Sequence, residues 1–176
     1  MKILANIVAL TSLIAYCIGI FSKKNGITLI CFTIGDFIYA LSYCLLKDFL
    51  TASSFLLGMI ISLVLGYLSI KDKKTPISIY IIFEILEIIS FAVFFKSYSE
   101  ILVLIANVVY VFFACLNYEL PFKYSILVFG VLLLVYNLIN MFILGIIIES
   151  VILITTIIEI IKIKVNSKFE KLKNII

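Results

Sequence analysis

Seven apolar runs separated by short polar breaks account for nearly all of this chain: 3–21, 27–46, 49–70, 77–95, 101–117, 122–143 and 146–163. Each is close to twenty residues long. A helix of that length rises about 1.5 Å per residue and crosses roughly 30 Å of hydrocarbon. Of 176 residues 65% are hydrophobic, more apolar surface than a soluble domain of this size can hide, so lipid is the expected solvent. In lipid every backbone polar group must be satisfied within the chain, which leaves helices or a closed barrel. Runs of this length choose helices. The first run lacks an A-x-A cleavage pattern and is followed by further runs, so it reads as a span rather than a signal peptide.

The breaks set connectivity and orientation. They are short, the tightest being Lys47-Asp48 and Leu144-Gly145, so consecutive helices should be antiparallel neighbours. Pro76 and Pro121 stand near the starts of the fourth and sixth runs, where a missing N–H costs least. All fourteen basic residues are lysines. Lys23, Lys24, Lys71, Lys73, Lys74, Lys123 and the lysines of the tail fall on one side; Lys2, Lys47 and Lys96 fall on the other. Positive charge accumulates on the cytoplasmic side, so the N-terminus is expected outside and the C-terminus inside, in the plasma or inner membrane. The net charge of +4 is thereby explained without nucleic acid. The tail, rich in lysine with Phe169, Leu172, Ile175 and Ile176 between, reads as an extension of the last helix lying in anionic headgroups.

Weak self-similarity recurs near an offset of 95 residues. LTSLIAYCIGIFSKKN in the first run matches LIANVVYVFFACLNYEL in the fifth, Tyr16 facing Tyr110, and runs two and three match six and seven, Tyr39 facing Tyr136. The expected fold is therefore all-α and integral to the membrane. It has seven transmembrane helices arranged 3+1+3, two parallel three-helix bundles joined by helix 4. The expected units are 1–74, the linker helix 75–98, 99–164 and the basic tail 165–176.

YCLLKDFLTASS from Tyr43, YNLINMFILGIIIES from Tyr136 and IEIIK from Ile158 resemble the bacterial inner-membrane Imp-YgjV family. The resemblance implies an aromatic-Asn pair at Tyr136-Asn137 and an acid at Glu149. Two departures stand out. The family's Leu-Leu-Gly turn is Leu45-Leu46-Lys47 here, and its Asn-x-x-Arg pattern in helix 3 is replaced by Gly58 and Ile61, with Glu159 and Lys162 as the pair in helix 7. More distantly, the 3+1+3 count is similar to SWEET-type sugar transporters and PnuC-type vitamin-precursor transporters.

Polar residues at bilayer depth are the candidate site. Asp36, beside Gly35, sits at the middle of helix 2, where a charge costs on the order of 2.5 to 3.5 kcal/mol unless it faces the bundle interior or water. It reads either as a coupling or counter-charge carboxylate or as a protonated acid bonded to a neighbouring helix. Asn107, Asn137 and Asn140 offer amides that suit hydroxyls or a heterocycle edge, or act as interhelical glue. Asp36, Tyr39, Asn107, Tyr136 and Asn137 are expected to line one solute site at the bundle interface, with Asp36, Glu84, Glu87 and Glu149 as candidates for proton or ion coupling. Glu84 and Glu87 on helix 4 have a plain alternative, facing helix 1 or a second copy. For Glu149, at the start of helix 7, the helix dipole is a sufficient reason. Glu159 should pair with Lys162.

Enzyme chemistry finds no footing. Histidine is absent, no glycine-rich phosphate loop occurs, and Cys17, Cys31, Cys44 and Cys115 have no paired spacing, so they read as packing residues. No metal or cofactor is expected. The leading expectation is a transporter or facilitator of a small polar solute working by alternating access. The alternative is a non-transporting scaffold or complex subunit. Expected partners are the bilayer, the solute and a second copy of the chain.

Overall fold

The computed structural model describes residues 2–22, 24–116 and 119–173, with side chains described from 3 to 166 within those stretches. Among the described residues the chain forms seven helices: α1 (Lys2–Phe21), α2 (Asn25–Leu46), α3 (Phe49–Ile70), α4 (Ile77–Phe94), α5 (Glu100–Cys115), α6 (Glu119–Ile139) and α7 (Ile143–Lys173). Six are long and apolar enough to span a membrane. The seventh, α5, has 16 residues and reaches about 24 Å, short of the hydrocarbon thickness. The expected Asn117 at its end lies outside the described residues, as do Lys23 and the side chains of the tail beyond 166.

Large apolar side chains point outward around the whole molecule. On α1 alone Ile3, Ile7, Leu10, Ile14 and Ile18 form one exposed stripe at helical spacing. The opposite stripe, with Ala5, Ala9, Ser12, Tyr16 and Ile20, is buried. The face that would be polar on a soluble helix is here the most apolar, which is what lipid as solvent requires. α4 is peripheral: only Phe83, Glu87 and Ser90 are buried on it.

The helix boundaries repeat at a spacing of 94. Asn25 and Glu119 open α2 and α6, Phe21 and Cys115 close α1 and α5, and Phe49 and Ile143 open α3 and α7. Both second-to-third connections are the same turn. Lys47 and Met141, 94 apart, adopt left-handed φ of 64° and 55°. In each turn the amide one residue further on reaches back five residues, Asp48 N–H to Tyr43 C=O at 3.0 Å and Phe142 N–H to Asn137 C=O at 2.9 Å. Packing follows the same relation. α2 lies against α1 and α3, α6 lies against α5 and α7, and the cross-contacts are α1 with α7 and α3 with α5.

Three expectations change. The Leu144-Gly145 break is not a turn: α6 ends at Ile139, the turn is at Asn140–Phe142, and α7 has begun by Ile143. Periodicity could not see this, because Met141, Phe142 and Ile143 are as apolar as the helices beside them. At the 94-residue register Tyr39 matches Leu133, not Tyr136, and Tyr43 matches Asn137. By that register the helix 7 counterparts of Gly58 and Ile61 are Ile152 and Thr155, not Glu159 and Lys162.

The N-terminal end of α1 shares one end of the bundle with the two repeated turns, since Asn6 lines the same cavity as Lys47, Asp48 and Met141. The far part of α7 lies at the other end, where Lys162 sits over the Phe21 ring and Lys164 over that of Tyr124. The expected Glu159–Lys162 pair forms, at 3.3 Å.

Candidate functional site

Two cavities lie in series along the molecule. The first is an open vestibule of about 580 Å³ at the end that carries the repeated turns. Its walls include Asn6, Lys47, Asp48, Lys96, Glu100 and Asn140. The second is a small inner chamber of about 30 Å³ between the helices, with room for a water molecule or two or one small ion. It is lined by Tyr16, Asp36, Ser54, Gly58, Asn107, Tyr110 and Glu149, with Phe32, Phe55, Ile126, Phe129 and Ile152. Four pairs among these residues are 94 apart: Tyr16 and Tyr110, Phe32 and Ile126, Phe55 and Glu149, Gly58 and Ile152. The chamber therefore sits where the two repeated helix sets meet.

A layer of aromatic side chains separates the cavities. Tyr39, Tyr43 and Phe55 pack ring on ring with centroids 4.8–5.6 Å apart, and Phe142 stands edge-on to Tyr43. The layer is latched across the two helix sets: the Tyr43 hydroxyl donates to Asn137 Oδ1 at 2.8 Å. These are the residues that the repeat makes equivalent. A second bridge crosses closer to the vestibule, where the Tyr136 hydroxyl donates to Asp48 Oδ2 at 2.6 Å and accepts from Thr51 Oγ1 at 3.0 Å. Asp48 also caps α3 through the Thr51 amide. Toward the opposite end Phe32, Tyr110 and Phe122 close the chamber. Beyond them Lys123, fully buried, donates to the carbonyls of Ile20 and Ser22 at the end of α1.

Within the chamber each acid stands over a glycine. Asp36 on α2 accepts from the Tyr16 hydroxyl at 2.7 Å through Oδ1. Its Oδ2 turns toward α3, where a Cβ placed on Gly58 would lie 3.4 Å away. Glu149 on α7 turns toward α6, where a Cβ on Gly130 would lie 3.6 Å from its Oε2. The acid is thus on the second helix of one set and the third helix of the other. Glu149 is 1% exposed and Asn107 6%, yet Glu149 Oε2, the Tyr39 hydroxyl that neighbours Glu149, and Asn107 Nδ2 make no well-formed hydrogen bond. Gly35 does admit a neighbouring helix: a Cβ there would stand 2.7–2.9 Å from the Tyr16 ring.

The five residues expected to line one site divide between these levels. Asp36 and Asn107 line the chamber, Tyr39 lies in the aromatic layer, and Tyr136 and Asn137 line the vestibule. Of the coupling candidates, Glu149 is a chamber residue. It lies in the second turn of α7, fully buried, so the expected dipole role at the helix start does not apply. Glu87 lies behind the wall and accepts from the chamber residue Ser54 at 3.1 Å. It faces α3, where helix 1 or a second copy had been the plain alternative. Glu84 lies away from the chamber, near Tyr80 and Cys115. Sequence reading did not single out Tyr43, Ser54, Gly130 or Lys123. The 94-residue register would have flagged Tyr43 through Asn137, and Lys123 is visible as a lysine at the start of an apolar run; Ser54 and Gly130 leave no signal in an apolar helix.

A family model described as Bacterial inner membrane protein, Imp-YgjV, matches residues 3–167. The chain belongs to this family. The match takes in all seven helices and both cavities, so chamber and vestibule lie within the family's common region. The inner membrane it implies agrees with six helices of spanning length and with the outward apolar stripes. No curated protein and no solved structure matches the chain.

Proposed function

We propose that this Imp-YgjV member is a transporter or facilitator of a small polar solute, and not an enzyme. In this reading it is a 3+1+3 protein similar in plan to SWEET-type and PnuC-type carriers, with bundles 1–74 and 99–164 joined by helix 4. The observation that carries it is the series of a polar vestibule, a latched aromatic layer and a mostly apolar chamber bordered by Asp36, Asn107 and Glu149 along the seam between the repeated helix sets. Rocking of one set against the other would part the Tyr43–Asn137 latch and join vestibule to chamber. Closing the vestibule and parting the Phe32, Tyr110 and Phe122 layer would open the other end. The lysine distribution supports an orientation with the vestibule outside and the tail in the cytoplasm.

The test is solute uptake into proteoliposomes from a panel of sugars, nucleosides, vitamins and amines. It is paired with thiol labelling of single cysteines at Ser97, by the vestibule, and Ser22, at the opposite end, in a background lacking the four native cysteines. A transported solute should be accumulated and should change labelling at the two positions in opposite directions. No uptake with unchanged labelling would return the protein to the scaffold reading, in which the broad apolar face of α4 is the surface offered to a partner.

A further inference from the structure

We infer that the inner chamber is a binding site for one small monovalent cation, an alkali or ammonium-type ion, held between Asp36 and Glu149. The inference deepens the transport reading, on which it rests, by assigning a ligand class to its central site. Two carboxyl groups from opposite helix sets line one small cavity of about 30 Å³, and no lysine lines it. Lys123, the one buried lysine among the described residues, is engaged by the carbonyls of Ile20 and Ser22. A pair of carboxylates in a low-dielectric site without a counter-charge is costly; one monovalent cation neutralises one of them, and the site is neutral when the other acid keeps its proton.

The remaining groups fit the same ligand. Glu149 Oε2 is buried with only the neighbouring Tyr39 hydroxyl, itself not fully hydrogen-bonded, to answer it, and Asp36 Oδ2 lies on the side of Gly58, 3.4 Å from where a Cβ there would stand. Asn107 is also buried and incompletely bonded, and its amide can turn Oδ1 to an ion or keep Nδ2 for an ion-bound water. Ser54 adds a hydroxyl. The rings of Tyr16, Phe32, Phe55, Tyr110 and Phe129 complete the wall, and aromatic faces attract a positive charge. Two carboxyl groups and one amide make too few hard ligands for calcium, and with no histidine or thiolate in the wall they do not suit a transition metal. The volume excludes a sugar in this closed arrangement.

The experiment uses the purified full-length chain in detergent. Sodium, potassium, ammonium and methylammonium chloride are each titrated against N-methylglucamine chloride at constant ionic strength. Thermal unfolding is followed by tyrosine emission, which no tryptophan obscures. At least one of the four ions should raise the unfolding midpoint saturably, and the arm that does so separates alkali from ammonium chemistry. Asp36→Asn and Glu149→Gln should each weaken that ion at least tenfold, while Glu84→Gln, away from the chamber, leaves it unchanged. Should a carboxyl variant fail to fold, Gly58→Ala crowds the same oxygen at ordinary contact distance and should weaken binding at least threefold. Shifts no larger than those of N-methylglucamine, or ion effects that persist in the Asp36→Asn/Glu149→Gln double variant, would overturn the inference and leave the two acids protonated. An ion effect without solute uptake would keep this site and remove the transport reading. Uptake of a neutral solute independent of all four ions would do the reverse.

Discussion

Asp36 illustrates how one residue reconciles an apolar helix with a carboxyl group at its centre. Half of the group is satisfied within the protein by Tyr16, and the other half looks into the chamber. Asp36→Asn keeps an acceptor for the tyrosine hydroxyl, so the variant should fold with an unfolding midpoint close to that of the parent. Asp36→Leu orphans a buried hydroxyl and should cost about 1 to 3 kcal/mol. The Tyr43–Asn137 latch is also testable at this scale. A double-mutant cycle with Tyr43→Phe and Asn137→Leu should give a coupling of about 0.6 kcal/mol, the average for hydrogen bonds between membrane helices, with about 1.7 as the upper bound. A cycle energy of zero would mean that the bond does not join the two helix sets.

At the scale of the element, the repeated turns decide where α3 and α7 begin. Lys47 and Met141 both hold a left-handed conformation that costs a side-chain-bearing residue roughly 1 kcal/mol or more. This explains the family's Leu-Leu-Gly turn, whose glycine falls at Lys47. Lys47→Gly and Met141→Gly should each stabilise the protein by about 0.5 to 1 kcal/mol in denaturant or thermal unfolding. The opposite sign is expected one turn into α7. A Cβ at Gly145 would lie 2.7 Å from Asn137 Cγ. Gly145→Leu should therefore destabilise by about 1 to 3 kcal/mol through overpacking and displace the latch residue. Stability unchanged in that variant would show that α6 and α7 are less closely packed than described.

Across the whole molecule the two repeated helix sets bury their small and polar stripes against each other and present isoleucine, leucine and valine to lipid. With little hydrophobic force between helices in a bilayer, packing and interhelical hydrogen bonds must hold the sets together. Here the cross-set hydrogen bonds include Tyr43 with Asn137, Tyr136 with Thr51 and Asp48, Ser62 with Tyr110, and Lys123 with the carbonyls of Ile20 and Ser22. The lysine asymmetry makes a topological prediction. Single cysteines at positions 47 and 72 should be labelled by an impermeant reagent from opposite faces of the membrane, position 47 from outside in intact cells. Labelling of both from one face would refute the expected orientation.

The number of apolar runs and their length were enough to establish lipid as solvent, helices as elements and Asp36 as a residue in need of an interior partner. Those conclusions depend on composition and one-dimensional spacing, which a chain carries openly. The repeat was legible too, through Tyr16 and Tyr110, but its register was not. Matching Tyr39 to Tyr136 by identity missed a turn hidden in the apolar stretch Met141, Phe142 and Ile143, whose boundary is set by backbone hydrogen bonds rather than by polarity. Only tertiary structure decided which polar groups meet. The rotation of each helix about its axis brought Asp36, Asn107 and Glu149 to one chamber, sent Asn137 and Tyr136 to the vestibule, and set Glu87 behind Ser54. That rotation leaves only a faint trace in the sequence, small and polar residues such as Ala5, Ala9, Ser12 and Tyr16 on the buried side, because lipid and core both accept large apolar side chains.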